Sequence, residues 1–110
     1  MNTAIANITS GWICFIDDDQ RVDENFYKVT IDTITNYPDT SLFCGKLIPD
    51  WTGDEPDWIH EQGAYKISPI PIPDYNLGNH QLILSEHDFL PSGGNLIINH
   101  DVFKKIGGVL

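Results

Sequence analysis

The stretch Gly11-Trp12-Ile13-Cys14-Phe15-Ile16-Asp17-Asp18-Asp19 decides how this chain is read. Trp12 to Ile16 are five apolar residues in a row, the pattern of a strand buried on both faces of a sheet. Three aspartates follow without a break. Neighbouring carboxylates repel one another and resist ionisation unless a cation or strong donors neutralise them. In open α/β sheets, ligands bind in the crevice outside the carboxyl ends of the strands. A buried strand that runs into Asp17-Asp18-Asp19 therefore predicts a divalent-metal site at the mouth of an α/β domain. Alternate residues of an extended segment share a side, so Asp17 and Asp19 are expected to converge while Asp18 points elsewhere. Oxygen ligands of this kind suit Mg²⁺ or Mn²⁺. The competing reading is a solvated acidic turn before a helix, with Asp23 and Glu24 favouring the helix N-terminus. An EF-hand loop starting at Asp17 fails, because it would place Val22 where glycine is needed and Lys28 where glutamate is needed.

Upstream, residues 2–9 carry Ile5 and Ile8 at helical spacing, with Ser10-Gly11 as the stop. Downstream, Asp23 is expected to cap a helix running to Tyr37, with Phe26, Val29, Thr30, Ile34 and Tyr37 near one face. Pro38 ends it. Residues 41–48 read as a second strand, which makes a strand–helix–strand unit with a right-handed crossover. Residues 49–84 differ: they hold five of the seven prolines and two of the three tryptophans. Ile67-Ser68-Pro69-Ile70-Pro71-Ile72-Pro73 is excluded from a central strand, because proline donates no ladder hydrogen bond. This region is expected to be a long irregular loop. Leu90-Pro91-Ser92-Gly93-Gly94-Asn95 reads as a tight turn into a third strand, Leu96-Ile97-Ile98. Asn99 or Asp101 then caps a short helix holding Val102, Phe103 and Ile106, which Gly107-Gly108 stops.

The 110 residues suffice for one small domain, and 41% apolar content is normal for a globular one. Sixteen acidic and six basic side chains give a formal charge of -10. That balance excludes the basic face that nucleic-acid binding needs, and it disfavours an anionic membrane surface. An anionic ligand remains open if a metal brings the positive charge. Cys14 and Cys44 have no motif spacing and read as small buried hydrophobes in a reducing cytoplasm. No segment approaches the ~20 apolar residues of a membrane span, and no basic region precedes the first apolar residues as in a secretory signal.

Other candidate groups say less. His60, His80, His87 and His100 form no close zinc-type pair. No serine, histidine and acid arrangement stands out for acyl transfer. Ser92-Gly93-Gly94-Asn95 has two readings: a turn that needs glycine, or a loop whose backbone approaches a phosphate or sugar. Trp51 and Trp58 flank the acidic loop Gly53-Asp54-Glu55-Pro56-Asp57, where aromatics either stack on sugar faces or cover a small core.

Taken together, these residues resemble the middle of a family 2 glycosyltransferase of the GT-A fold. The resemblance runs through Asn2-Thr3-Ala4-Ile5, the strand ending in Asp17-Asp18-Asp19, Pro38-Asp39, and Cys44-Gly45-Lys46-Leu47-Ile48-Pro49. It continues through Pro91-Ser92-Gly93-Gly94-Asn95 and ends with Val102-Phe103-Lys104-Lys105-Ile106-Gly107-Gly108. Residues 51–90 correspond to a region that varies in the family. The fold it implies is α/β: a partial, Rossmann-like GT-A domain over residues 1–110, its sheet mostly parallel and flanked by helices, with a long loop containing proline and tryptophan. The activity it implies is metal-dependent transfer of a hexosyl group from a nucleotide-sugar donor to an acceptor hydroxyl, of the kind that builds cell-envelope polysaccharide. The acceptor class, whether saccharide, lipid-linked or protein, stays open.

By resemblance, Asp17-Asp18-Asp19 occupies the DXD position, with Asp17 and Asp19 on Mg²⁺ or Mn²⁺ and Asp17 and Asp18 near the donor. Gly93, Gly94 and Asn95 match the loop beside the donor sugar. The family's nucleotide-gripping half precedes the first matched residue, and its general base follows the last. The resemblance thus implies a cytoplasmic piece of a longer enzyme, inactive by itself, with any membrane association lying in the other parts. The alternative is a non-catalytic carbohydrate- or cation-binding module, or an inactive remnant.

Overall fold

Helix gives way to strand at Gly11, whose φ of 97° lies in the left-handed region that glycine enters most cheaply. Before it lies α1, Asn2–Ala6, followed by turn bonds from the Ile8 amide to the Ile5 carbonyl (3.0 Å) and from Asn7 to Ala4 (3.2 Å). After it comes β1, Trp12–Phe15. The computed structural model describes residues 2–56, 59, 74–85 and 94–107. Two units make up the chain, Met1–Gly45 with Pro91–Leu110, and Lys46–Leu90.

The first unit contains α1, β1, then α2 (Phe26–Asn36), β2 (Leu42–Cys44), β3 (Leu96–Asn99) and α3 (His100–Ile106). Its three strands lie in the order β1-β3-β2, and β3 is antiparallel to both neighbours. The register pairs Phe15 and Cys44 with Leu96, and Ile13 and Leu42 with Ile98. The fold is a small α/β arrangement, but the mostly parallel sheet expected from the sequence is corrected to an antiparallel one. Because β1 and β2 both oppose β3, they run in the same direction as each other, joined through α2 as the strand–helix–strand reading requires. What the sequence pattern missed is that β3 enters between them and reverses. An apolar run reports burial and length; it carries no sign for strand direction.

The position of β1 corrects a second expectation. It lies at an edge of the described sheet, and none of its four residues is buried. Side chains alternate across the sheet. Ile13, Phe15, Leu96 and Ile98 share one face and pack with Ile5 of α1 and Phe103 and Val102 of α3. Trp12, Cys14, Phe43 and Ile97 fall on the other. There the Trp12 and Phe43 rings lie 5.6 Å apart, and Tyr37, at the end of α2, adds its ring 6.5 Å from Phe43. Cys14 is thus exposed rather than a buried hydrophobe. It lies on the opposite face from Cys44, and both thiols are free.

The helix ends show where side-chain chemistry beat pattern. Asp23 is not the cap of α2. Its carboxylate accepts from the Asn25 amide (2.8 Å) and its carbonyl from Phe26 (3.0 Å), which makes a turn before the helix. Asn25 takes the N-cap position without a side-chain bond, and no residue of α2 is buried. At α3 the expectation holds: Asn99 Oδ1 accepts from the Asp101 amide at 2.9 Å, and Gly107 closes the helix at φ 82° with its amide on the Phe103 carbonyl. Among the described residues, no helix is long and apolar enough to cross a membrane.

In the second unit, the expected strand over residues 41–48 is shorter than predicted. Past β2, Leu47 pairs again in an isolated antiparallel bridge with Tyr75 (amide-to-carbonyl distances 2.9 and 2.7 Å). Tyr75 is the buried residue there. Further on, Glu55 folds back on its own loop. It accepts from the Thr52 amide (2.5 Å), the Thr52 hydroxyl (2.9 Å) and the Gly53 amide (2.9 Å). These donors, the Thr52 amide first and then the Glu55 amide, hold its carboxyl down at about 2, from an ordinary value of 4.5. With the folded value below the unfolded one, the loop gains order from this charge above about pH 5 and loses it as pH falls through about 2. Thr52 and Gly53 amide resonances are therefore expected to shift together with the Glu55 carboxyl over that range. A Glu55 titration midpoint near 4.5 would rule out the capped loop. The Ile67–Pro73 segment lies outside the described residues.

Candidate functional site

At the carboxyl end of β1 the chain does not continue extended. The Gln20 amide donates to the Asp17 carbonyl (3.1 Å), and Gln20 Oε1 accepts from the Asp17 amide (2.9 Å). These reciprocal bonds close residues 17–20 into a turn with Asp18 and Asp19 at its two central positions. All three aspartates are exposed. The alternation that would bring Asp17 and Asp19 to one side belongs to a strand, so in this turn it does not apply. Exposure relieves the mutual repulsion of the carboxylates by solvation instead. Gln20 is a residue the sequence reading passed over; its signal was a long amide side chain three positions after Asp17, long enough to reach back and cap the turn.

The reversal of β3 makes this end of the sheet chemically interesting. A parallel β3 would have put its carboxyl end, Asn99, beside the aspartates. Running antiparallel, it places there the turn that precedes it. The Asn95 amide donates to the Phe15 carbonyl (2.9 Å), and the Gly45 amide donates to the Asn95 carbonyl (3.1 Å). Asn95 therefore bridges the carboxyl ends of β1 and β2, with Phe15 only two residues before Asp17. Its φ of 52° is left-handed, a region asparagine tolerates better than most non-glycine residues. Its backbone amide is committed to the sheet, and its side-chain Oδ1 is buried. Gly94 is buried beside it, and Gly93 lies outside the described residues.

Among the described residues, no group of three or more His, Cys, Asp or Glu side chains is placed to hold a metal ion. A cation at residues 17–19 would take the rest of its oxygen shell from water or from the ligand it bridges. An apolar cleft of about 410 Å³ runs along Ala4, Ile5, Ile8, Ile13, Phe15 and Ile16 to Asp17. Ile5, Ile13 and Phe15 also belong to the core cluster. Among the described residues that line it, Asp17 is the charged one and the other side chains are apolar, so the cleft extends the core surface. His100 is buried at the other end of the sheet, where its amide donates to the Gly11 carbonyl (2.8 Å). His80 is exposed in the second unit, as is Trp51. Trp58, His60 and His87 lie outside the described residues.

Comparison with known proteins supports a sugar-transfer relationship. The chain is similar to a glycosyltransferase. It is 26% identical over 100 residues to the glucosyl-dolichyl phosphate glucuronosyltransferase of Haloferax volcanii. The match covers 91% of this chain and 30% of that protein, so the chain spans less than a third of the relative's length. No family model matches, and neither does a solved structure.

Proposed function

We propose that this chain carries the metal and donor-diphosphate corner of a family 2, GT-A-type glycosyltransferase. The observation behind this reading is the convergence of two motifs 78 positions apart. The Asn95 turn bonds to the carbonyl of Phe15, at the strand end that feeds Asp17-Asp18-Asp19. In this reading Asp17 and Asp19 ligate Mg²⁺ or Mn²⁺, Asp17 and Asp18 contact the donor, and Gly93, Gly94 and Asn95 border the donor sugar. The ion would supply positive charge to the departing diphosphate. The chain's own contribution is to fix the two turns relative to one another through strand hydrogen bonds, which holds a ligand bound to both in one orientation. The Haloferax relative is named for glucuronosyl transfer and a dolichyl phosphate. That favours a nucleotide-activated uronic acid as donor and a lipid-linked acceptor.

The metal role is tested by titrating Mn²⁺ into ¹⁵N-labelled chain. Two exposed carboxylates and a shell otherwise filled by water should give millimolar affinity, about -4 kcal/mol. Paramagnetic broadening is expected to be strongest at residues 17–20. Broadening centred on His80 or His100, with the aspartates untouched, would refute it.

A further inference from the structure

Gly45 is a glycine for a different reason from its neighbours in the sequence. Gly11, Gly53, Gly78 and Gly107 all have φ between 82° and 103°, and a Cβ on any of them would meet nothing within 4 Å. Their conformation demands glycine; their surroundings do not. Gly45 is the reverse. Its φ is outside the left-handed region, yet an ideal Cβ would overlap Asn95 Nδ2 and lie 3.0 Å from Asn95 Cγ and 3.2 Å from Oδ1. All three of those atoms belong to one side chain. The space left by the missing side chain of Gly45 is therefore the space that the Asn95 carboxamide occupies.

Asn95 keeps a side chain where glycine would serve. At φ 52° glycine would be the least strained residue. Keeping a side chain there, and clearing a notch for it on the adjacent strand end, makes sense if the carboxamide has a task. The backbone adds a second constraint. The Gly45 amide bonds to the Asn95 carbonyl at 3.1 Å, so Gly45 fixes the main chain of Asn95 and also leaves room for its side chain.

We propose that Gly45 is a positioning residue whose bare Cα seats the Asn95 carboxamide at the joined ends of β1 and β2, where it meets the donor. The donor part rests on the function proposed above. A methyl group at position 45 meets no left-handed φ, but it collides with the carboxamide. Gly45 thereby acts on a ligand it need not touch.

The experiment is a double-mutant cycle of Gly45→Ala and Asn95→Gly, read two ways. In thermal unfolding, Gly45→Ala is expected to lower Tm in the wild-type background and to leave it within about a degree when Asn95 is glycine. In ¹⁵N-labelled wild type titrated with Mg²⁺ and UDP-glucuronate, the Asn95 side-chain NH₂ pair is expected to shift. Gly45→Ala should move that pair in the absence of ligand and weaken binding tenfold or more. Asn95→Gly should weaken binding to a similar extent, and the double variant no further. Restored Tm without restored affinity is the signature of a seat for a ligand-contacting group, and a merely structural glycine would not give it.

Equal Tm losses in both backgrounds, an unmoved Asn95 NH₂ pair, or recovery of affinity in the double variant would each overturn the proposal. If Gly45→Ala alone fails to fold, folding of the double variant supports the seat and its failure refutes it. A wild-type chain that shows no shift with this mixture overturns the donor reading and the ligand the seat serves. The Tm comparison then still decides the seat itself.

Discussion

On the function proposed above, Asp19→Ala is expected to lower sugar transfer about 10²–10³-fold, the range seen when one preorganised stabiliser of developing charge is removed. The fold should be untouched. Asp19 is exposed, and the bonds that close its turn run between Asp17 and Gln20. Taking one like charge from three adjacent carboxylates relieves repulsion, so the metal-free protein should lose no stability. Turnover at matched donor and metal concentration, alongside far-ultraviolet circular dichroism, checks both halves. Activity comparable to wild type would remove Asp19 from the proposed metal site. Gln20→Ala is the informative companion. It removes the acceptor of the Asp17 amide while keeping every carboxylate, so a loss as large as that of Asp19→Ala would assign the effect to the geometry of the turn.

Phe103→Ala is expected to unfold the first unit, or nearly so. Phe103 is 4% exposed, the most buried apolar residue of the core, and its ring lies 6.2 Å from that of Phe15. With Ile5 and Ile98 it forms the buried centre on which Ile13, Phe15, Leu96 and Val102 pack. Deleting a buried phenylalanine ring costs about 3–5 kcal/mol. Whole domains are stable by only ~5–15 kcal/mol, and small ones sit at the low end. Among the described residues no side chain is fully buried, and α2 buries none of its residues. Urea denaturation followed by Trp12 fluorescence should show the transition collapse toward zero denaturant. A midpoint close to wild type would mean that the Ile5–Ile98–Phe103 cluster is not what holds α1 and α3 to the sheet.

Both variants probe features that the sequence revealed unequally. Phe103 was legible, since Val102, Phe103 and Ile106 follow a capping Asn99 and precede Gly107 at helical spacing. The strand ending at Asp17 was legible too, because a run of apolar residues against a run of charges is a local signal. The shape of the aspartate segment was not. Extended backbone and a tight turn are equally open to Asp17-Asp18-Asp19, and the turn is closed by Gln20, whose backbone amide donates to the Asp17 carbonyl while its carboxamide oxygen accepts from the Asp17 amide.

The sequence by itself determined the element types, the βα alternation around α2, a cap at Asn99 or Asp101, the apolar run of β3 and the acidic end of β1. These follow from periodicity, capping chemistry and charge, which act over a few residues. Only the tertiary structure decided that β3 enters between β1 and β2 in reverse, that β1 lies at an edge with Cys14 exposed, and that Asn95 bridges two strand ends over Gly45. Strand order and direction are set by which distant backbone donors and acceptors pair. Those pairings join residues tens of positions apart through hydrogen bonds that every residue type but proline offers alike, so no local pattern encodes them. The bond of Asn95 to the strand end that precedes Asp17–Asp19 is a product of that reversal, and the close fit of Gly45 to Asn95 is its mark in the side chains.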